Sequence, residues 1–188
     1  WLERAAQRSM RVLEIGTGRG LGSSQCILRG LHQNGEFHTI EIDPGHAEIS
    51  RRNLRDRRCH VFCGIAADPV VPPREEFPEI QGDAIKRTIY EMDAKRIPEA
   101  AVWNPPDSWI GKFIDLLFLD SDFIMAPAEF DRWAPHARAI ALDDTVKLKN
   151  SRNRSILLRD SEHYSVLTDM PHDRNGWITA FNYSPTPI

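Results

Sequence analysis

Residues 114–120, IDLLFLD, form an almost unbroken apolar run that stops on an acid. A strand with water on one face alternates apolar and polar residues. A run like this one needs cover on both faces, as a central strand of a parallel sheet has. The rest of the chain must then supply helices for both sides of that sheet. With 188 residues it is long enough for one domain with a sizeable core.

The remaining segments fit that requirement. RVLEI (11–15) reads as a buried strand, and residues 21–32 as a helix with Leu21, Cys26, Ile27 and Leu31 among its apolar positions. FHTIEI (37–42) is a second strand. Asp43 then offers an N-cap and Pro44 a first helical position. HVFCGIA (60–66) is a third strand. Residues 68–81 are rich in proline and acid and read as a loop. Residues 82–96 carry Ile85, Ile89 and Met92 at helical spacing, and WNPPDSW (103–109) breaks the pattern again. After the 114–120 strand, residues 126–137 suit a helix, RAIALDD (138–144) a strand, and 150–160 a helix. YSVLTD and GWITAFNYS, joined by MPHDRN, close the chain as a hairpin. The expectation is an α/β, Rossmann-like doubly wound, mostly parallel seven-stranded sheet with a C-terminal antiparallel hairpin. It is read as a single domain over 1–188 with a proline-rich insertion at about 68–110.

The first strand runs into glycines, LEIGTGRGLGSS, so backbone N–H groups are available to a ligand at a helix start. The dinucleotide fingerprint G-x-G-x-x-G is not met: counted from Gly16 the third glycine falls on Leu21, and counted from Gly18 on Ser23. NAD-dependent chemistry is therefore disfavoured. Glu14, two residues before the first glycine, would also repel a pyrophosphate. S-adenosylmethionine (SAM) removes the conflict, because it carries an ammonium, a sulfonium and no phosphate. Glu14 would orient its amino-acid end, directly or through water. Gly16 and Gly18 would let it approach the main chain. Glu41, ending the second strand, would accept the ribose hydroxyls.

LEIGTGRGLG, TIEIDP, IDLLFLDSD and IALDDT, in that order, resemble the class I SAM-dependent methyltransferases. Within that class the likeness is to the catechol O-methyltransferase-like and bacterial small-molecule O-methyltransferases. The resemblance spans residues 10–145, and the closing hairpin fits the same fold. It implies SAM-dependent O-methylation of a small hydroxylated molecule or sugar. It places Glu14, Gly16, Thr17, Gly18, Glu41, Ile42 and Asp120 at the cofactor. Gly64, Ile65, Ala66 and Ala67 would line the adenine pocket, with Asp68 facing the adenine amino group. A SAM-fold protein that transfers no methyl group is the alternative.

Asp120 and Asp122 end one strand and Asp143 and Asp144 the next, so several carboxylates converge beyond the strand ends. Unpaired, they would raise one another's pKa. A divalent cation such as Mg²⁺ or Ca²⁺ would relieve this. The resemblance implies Asp120, Asp143 and Asp144 as its ligands, with Asp144 standing where relatives carry Asn. The other reading pairs these acids with Arg132, Lys147 or Lys149. Asp120 and Asp122 are the catalytic candidates. The pattern fails at Phe123, where relatives carry a lysine or histidine base. Asp122, Lys147 and His46 are substitutes by residue type.

Other residues carry weaker signals. Cys59 and Cys63, four apart beside His60, would suit a metal pair or a core; no second pair completes a zinc set. Three cysteines make no disulfide framework and fit a reducing, cytoplasmic setting. Trp133 reads as core, and Trp103 and Trp109 as core or lid. His172 and Asp173 resemble a catalytic pair but sit, like His163, in polar turns. RRNLRDRR (51–58) reads as a solvated basic face. A net charge of −3, from 24 Lys+Arg against 27 Asp+Glu, gives no reason to expect nucleic acid. No apolar run reaches the ~20 residues of a membrane helix, and no secretory-signal pattern is present. The expected partner is a small-molecule substrate, and the pocket is either open or closed by a second copy of the chain in a homo-oligomer.

Overall fold

The computed structural model describes residues 1–146 and 148–188. Its strands are β1 (Arg11–Ile15), β2 (Glu36–Glu41), β3 (Cys59–Cys63), β4 (Ile114–Leu119), β5 (Ala137–Asp143), β6 (Tyr164–Met170) and β7 (Trp177–Asn182). Its helices are α1 (Leu2–Ala6), α2 (Ser23–Gly30), α3 (Pro44–Asn53), α4 (Ala84–Arg96), α5 (Ala126–Trp133) and α6 (Ser151–Arg159). The strands form one sheet in the order β3-β2-β1-β4-β5-β7-β6. β1 to β5 are parallel, while β7 pairs antiparallel with both β5 and β6. The expected seven-stranded sheet and closing hairpin are present.

The apolar run at 114–120 is explained by its neighbours. Alternate residues of β4 enter different cores: Leu117 and Leu119 pack with Leu13, Ile140 and Trp133 on one face. Leu116 and Phe118 pack with Val12, Ile27 and Phe37 on the other. Both faces are dry, so the alternation that marks a half-exposed strand disappears. β1 and β4 are in register, Leu13 opposite Leu117 and Ile15 opposite Leu119.

Asp43 caps α3 by accepting the His46 amide at 2.9 Å, with Pro44 at the first helical position, as expected. Asp83 caps α4 in the same way, through the amides of Ile85 and Lys86. Two expectations fail locally. Leu21 lies outside α2 and is exposed, because the chain turns at Gly20 and Gly22 before the helix begins at Ser23. Ile85, Ile89 and Met92 share helical spacing on α4 but all remain exposed. The core beneath this region is filled instead by Phe77, Ile80 and Ile97 from the turns on either side of α4, against Ile65, Phe123 and Met125. The third strand ends at Cys63. Beyond it, Ile65 bridges to Val102, so the 68–110 segment leaves the sheet edge and returns to it.

Candidate functional site

The order of strands reverses between β1 and β4: the chain goes outward through β2 and β3 on one side and through β5 on the other. In an open α/β sheet a crevice forms outside the carboxyl ends of the strands at such a point. A cleft of about 1070 Å³ opens there.

Gly16 makes the cleft floor. Its φ is +98°, its amide donates to Ile40 O at 2.9 Å, and Asp120 N donates to Ile15 O at 2.8 Å. The loops after β1 and β4 are thus pressed together. A Cβ on Gly16 would overlap the Asp120 carbonyl group. Gly18, at φ +58°, is different: a Cβ there would meet nothing within 4 Å. Its backbone faces empty cleft, as expected for a position that a ligand approaches.

Glu41 holds this loop from the side. Its Oε2 accepts the Gly18 amide at 2.6 Å and its Oε1 accepts the Asp43 amide at 2.9 Å. Glu41 and Ile42 both line the cleft. Burial raises its pKa, partly offset by those two amides.

Glu14 behaves differently from expectation. It is fully buried and does not line the cleft. Three hydroxyls donate to it: Ser24 at 2.6 Å, Thr39 at 2.7 Å and Ser23 at 2.8 Å. Desolvation pushes its pKa up to about 7 despite them. The carboxylate fastens the start of α2 to β1 and β2. It therefore shapes the loop from behind instead of touching a ligand. Thr17 is buried beside it, its hydroxyl bonded to that of Thr39, and reaches the cleft lining.

Of the residues expected around an adenine, Gly64 and Ile65 line the cleft, but Ala66 and Ala67 are core residues. The Ala66 carbonyl accepts the Trp133 indole N–H at 2.5 Å. Asp68 points outward: its side chain is 90% exposed and 3.8 Å from Arg132. The placement of Asp68 at the adenine is corrected accordingly.

The acids beyond β4 and β5 meet a lysine. Lys149 Nζ lies 3.1 Å from Asp120 Oδ1 and 3.0 Å from Asp144 Oδ2. Burial raises the Asp120 pKa, with Lys149 opposing it; Asp144 is held below the usual range by the same ammonium. Among the described residues, Asp120, Asp143 and Asp144 do not form a group whose ligand atoms all lie within 4.8 Å of one another. A divalent ion does not fit this arrangement, because an ammonium already bridges two of the three carboxylates. The pairing with Lys149 is the alternative that the geometry favours. Lys147 lies outside the described residues.

Asp122 caps the next turn, accepting the amides of Ile124 at 2.6 Å and Met125 at 3.2 Å. Phe123 packs in the core against Phe77. That explains the departure at this position: the side chain anchors the 68–110 segment and is absent from the cleft lining. His46 does line the cleft.

Several lining residues were not anticipated from sequence. Asp93 and Glu129 have pKa values pushed up to about 6 and about 8, chiefly by burial. Ser121 donates to Glu129 at 2.5 Å. Ser23, Arg174 and Trp177 also line the cleft, and Asp173 accepts the Trp177 indole N–H at 2.9 Å. Asp173 is thus engaged with Trp177, and His172 does not line the cleft. Helical and hairpin residues like these carry no local motif; only the fold brings them to the crevice.

The other candidates resolve as structural. Trp103, Trp109 and Trp133 are all buried in one aromatic cluster, so neither Trp103 nor Trp109 is a lid. His163 is exposed and pairs with Asp160. Arg51 and Arg52 pair with Glu48, and Arg58 with Asp56, on the solvent side. Cys59 and Cys63 form no disulfide, and among the described residues neither joins a group of three metal-ligating atoms.

No protein-family model and no curated protein matches the chain. Solved structures do. An O-methyltransferase from Bacillus cereus in complex with S-adenosylhomocysteine (SAH) superposes with a TM-score of 0.62 at 21% identity, covering 96% of this chain and 78% of that one. The Streptomyces achromogenes O-methyltransferase involved in tomaymycin synthesis, in complex with SAM, gives 0.62 at 17% identity, covering 96% and 77%. An SAH-bound methyltransferase from Podospora anserina gives 0.57 at 16% identity, covering 97% and 76%. Together with the strand order and the cleft at the switch point, these similarities show that the chain has the class I SAM-dependent methyltransferase fold.

Proposed function

We propose that this chain is a SAM-dependent O-methyltransferase acting on a small hydroxylated molecule. The observation that carries the reading is the acid-walled cleft at the switch point, with Glu41 and the open backbone of Gly18 side by side. Carboxylates from Glu41, Asp93, Asp120, Asp122 and Glu129 line it. Those of them that ionise favour a cationic ligand over a phosphorylated one; Glu129, its pKa pushed up to about 8 by burial, is protonated at neutral pH and serves as a hydrogen-bonding group. Glu41 is placed to accept the ribose hydroxyls, with Gly18 against the sugar and Ile42, Gly64 and Ile65 around the base. Solved structures of the same fold hold SAM or SAH, which supports the cofactor.

When bound, SAM would supply an electrophilic methyl group: an acceptor oxygen displaces it in line, the methyl–sulfur bond breaks and SAH leaves with the electron pair. The chain's task is to hold the acceptor in line and manage its charge and proton. Lys149, ion-paired with Asp120 and Asp144, would stabilise negative charge developing on the acceptor oxygen. Asp120, its pKa raised by burial, would take the hydroxyl proton. The ammonium thereby performs locally the charge compensation for which a divalent ion was expected. Ile89 and Met92 of α4, exposed but lining the cleft, give the acceptor site an apolar side suited to a ring.

Among the described residues no helix is long and apolar enough to cross a membrane. All three cysteines are free, which supports a reducing, cytoplasmic setting.

The test is thermal unfolding and calorimetric titration with SAM, SAH and NAD, followed by transfer of labelled methyl to a panel of phenols, catechols and sugars. Stabilisation by SAM and SAH but not NAD is expected, with turnover on at least one hydroxylated acceptor. Binding without turnover on any acceptor would leave the non-transferring alternative, to which the loss of a base at Phe123 points. Absence of SAH binding would remove both.

A further inference from the structure

A second cluster of chemistry-bearing side chains lies at the other end of the sheet. Glu36 and His38 are two apart on β2 and so share a face. His60 on β3 is the register partner of His38 and joins them on that face. Glu36 Oε1 is 3.0 Å from His38 Nε2 and 3.7 Å from His60 Nε2. The imidazoles stack with centroids 4.7 Å apart. All three candidate ligand atoms lie within 4.8 Å of one another. For bonds of ~2.1 Å in a tetrahedral shell, ligand atoms should be about 3.4 Å apart. The two distances to Glu36 bracket that value.

The surroundings are also those of a coordination site. The second Glu36 oxygen, Oε2, accepts the indole N–H of buried Trp109 at 2.6 Å, which fixes the carboxylate and leaves Oε1 toward the histidines. Metal-binding carboxylates are commonly held in this way. The His60 side chain is 49% exposed, giving an ion a path in and room for a water. Cys59 does not join this group of ligand atoms.

We propose that Glu36, His38 and His60 bind one Zn²⁺, with water in the fourth position. Two imidazoles and one carboxylate are a donor set that Zn²⁺ favours over Mg²⁺ or Ca²⁺. The ion would tie edge strand β3 to β2 and, through Glu36 and Trp109, to the 103–109 segment. Glu36 lies five residues from Glu41 along β2, about 16 Å away, so this site is separate from the cleft. It does not rest on the methyltransferase reading.

The experiment uses the full chain, stripped with chelator, and titrates it with ZnCl₂ by calorimetry and thermal unfolding. One saturable equivalent and a rise in melting temperature are expected. His60→Ala and Glu36→Gln should each weaken binding at least about tenfold. His60 is half exposed, so its replacement leaves the core intact; His60→Asn serves as the second variant at that position. Co²⁺ in place of Zn²⁺ should give a visible spectrum without a thiolate charge-transfer band, unchanged in Cys59→Ser/Cys63→Ser. No saturable binding, equal binding by the His60 and Glu36 variants, or a thiolate band would each overturn the proposal. SAH binding, measured alongside, should be the same with and without Zn²⁺.

Discussion

The ammonium of Lys149 lies 3.1 Å from a carboxylate oxygen of Asp120, joining the loop that follows β5 to the end of β4. The same ammonium reaches Asp144 at 3.0 Å. Lys149 is five residues beyond Asp144, and both side chains of the Asp120 pair are about two-thirds buried. The first prediction concerns this bridge. Lys149→Met should lower methyl transfer about a hundredfold or more, as loss of a positioned charge at the reacting oxygen does. SAH affinity should change less than tenfold. Wild-type transfer should be insensitive to EDTA. Labelled-methyl assays and calorimetry measure all three. Activity abolished by EDTA and restored by Mg²⁺ would show that a metal displaces the lysine.

The two carboxylates of the glycine loop should separate by assay. Glu41 faces the cleft, so Glu41→Gln should weaken SAH binding about 10- to 100-fold, the value of one or two charge-assisted hydrogen bonds. Glu14 is buried under three hydroxyls, so Glu14→Ala should appear first as lost stability, on the order of 2 kcal/mol, in denaturant unfolding. Asp68→Ala, at a fully solvated side chain, should alter neither.

Gly16 and Gly18 differ by what surrounds them. Gly16→Ala would drive a methyl group into the Asp120 backbone at a positive φ, and should cost about 3 kcal/mol or more. Gly18→Ala meets only open space, so it should cost about 1 kcal/mol through φ alone. It should nevertheless weaken SAH binding tenfold or more by filling the cofactor's place. Unfolding curves and SAH titrations of the pair distinguish stability from binding.

The buried acids set a pH dependence. Glu129 and Glu14 have folded pKa values raised from 4.5 to about 8 and about 7. A carboxyl whose folded pKa is raised binds more protons folded than unfolded. Its contribution is fully present below pH 4.5 and is lost as pH climbs through the folded value. Stability of the unliganded chain should therefore fall between about pH 5 and pH 8. Glu129→Gln keeps an acceptor for Ser121 and removes one ionisation, so it should flatten the upper part of that slope. Melting temperatures across that range are the readout.

Much of the architecture was legible because it follows from local patterns. Strands β1 and β4 announce themselves as apolar runs dry on both faces. Asp43-Pro44 announces the start of α3, and the closing hairpin is bracketed by polar turn residues. The glycine loop and Glu41 could be placed because strand ends and backbone access are short-range properties. The errors share another cause. Helical spacing on α4 is correct as secondary structure, yet its apolar stripe stays outside the core, with Ile89 and Met92 at the cleft, since nothing in the periodicity says which surface the turns around it have already filled. Phe123 was legible as a departure but not as a core anchor for the 68–110 segment.

The chain's own order of apolar runs, glycines and acids determined most of the strands and helices and the glycine loop that opens on the crevice, because each depends on residues near one another in sequence. Which acids face that crevice was decided by tertiary structure alone. Glu14 and Glu41 look equivalent as letters, but burial under Ser23, Ser24 and Thr39 makes one a fastening and leaves the other a candidate ligand group. Lys149 bridges Asp120 and Asp144, and His60 meets Glu36 and His38, only once strands distant in sequence are adjacent. Charge compensation acts over a few ångströms of space, and spacing along the chain does not encode that distance.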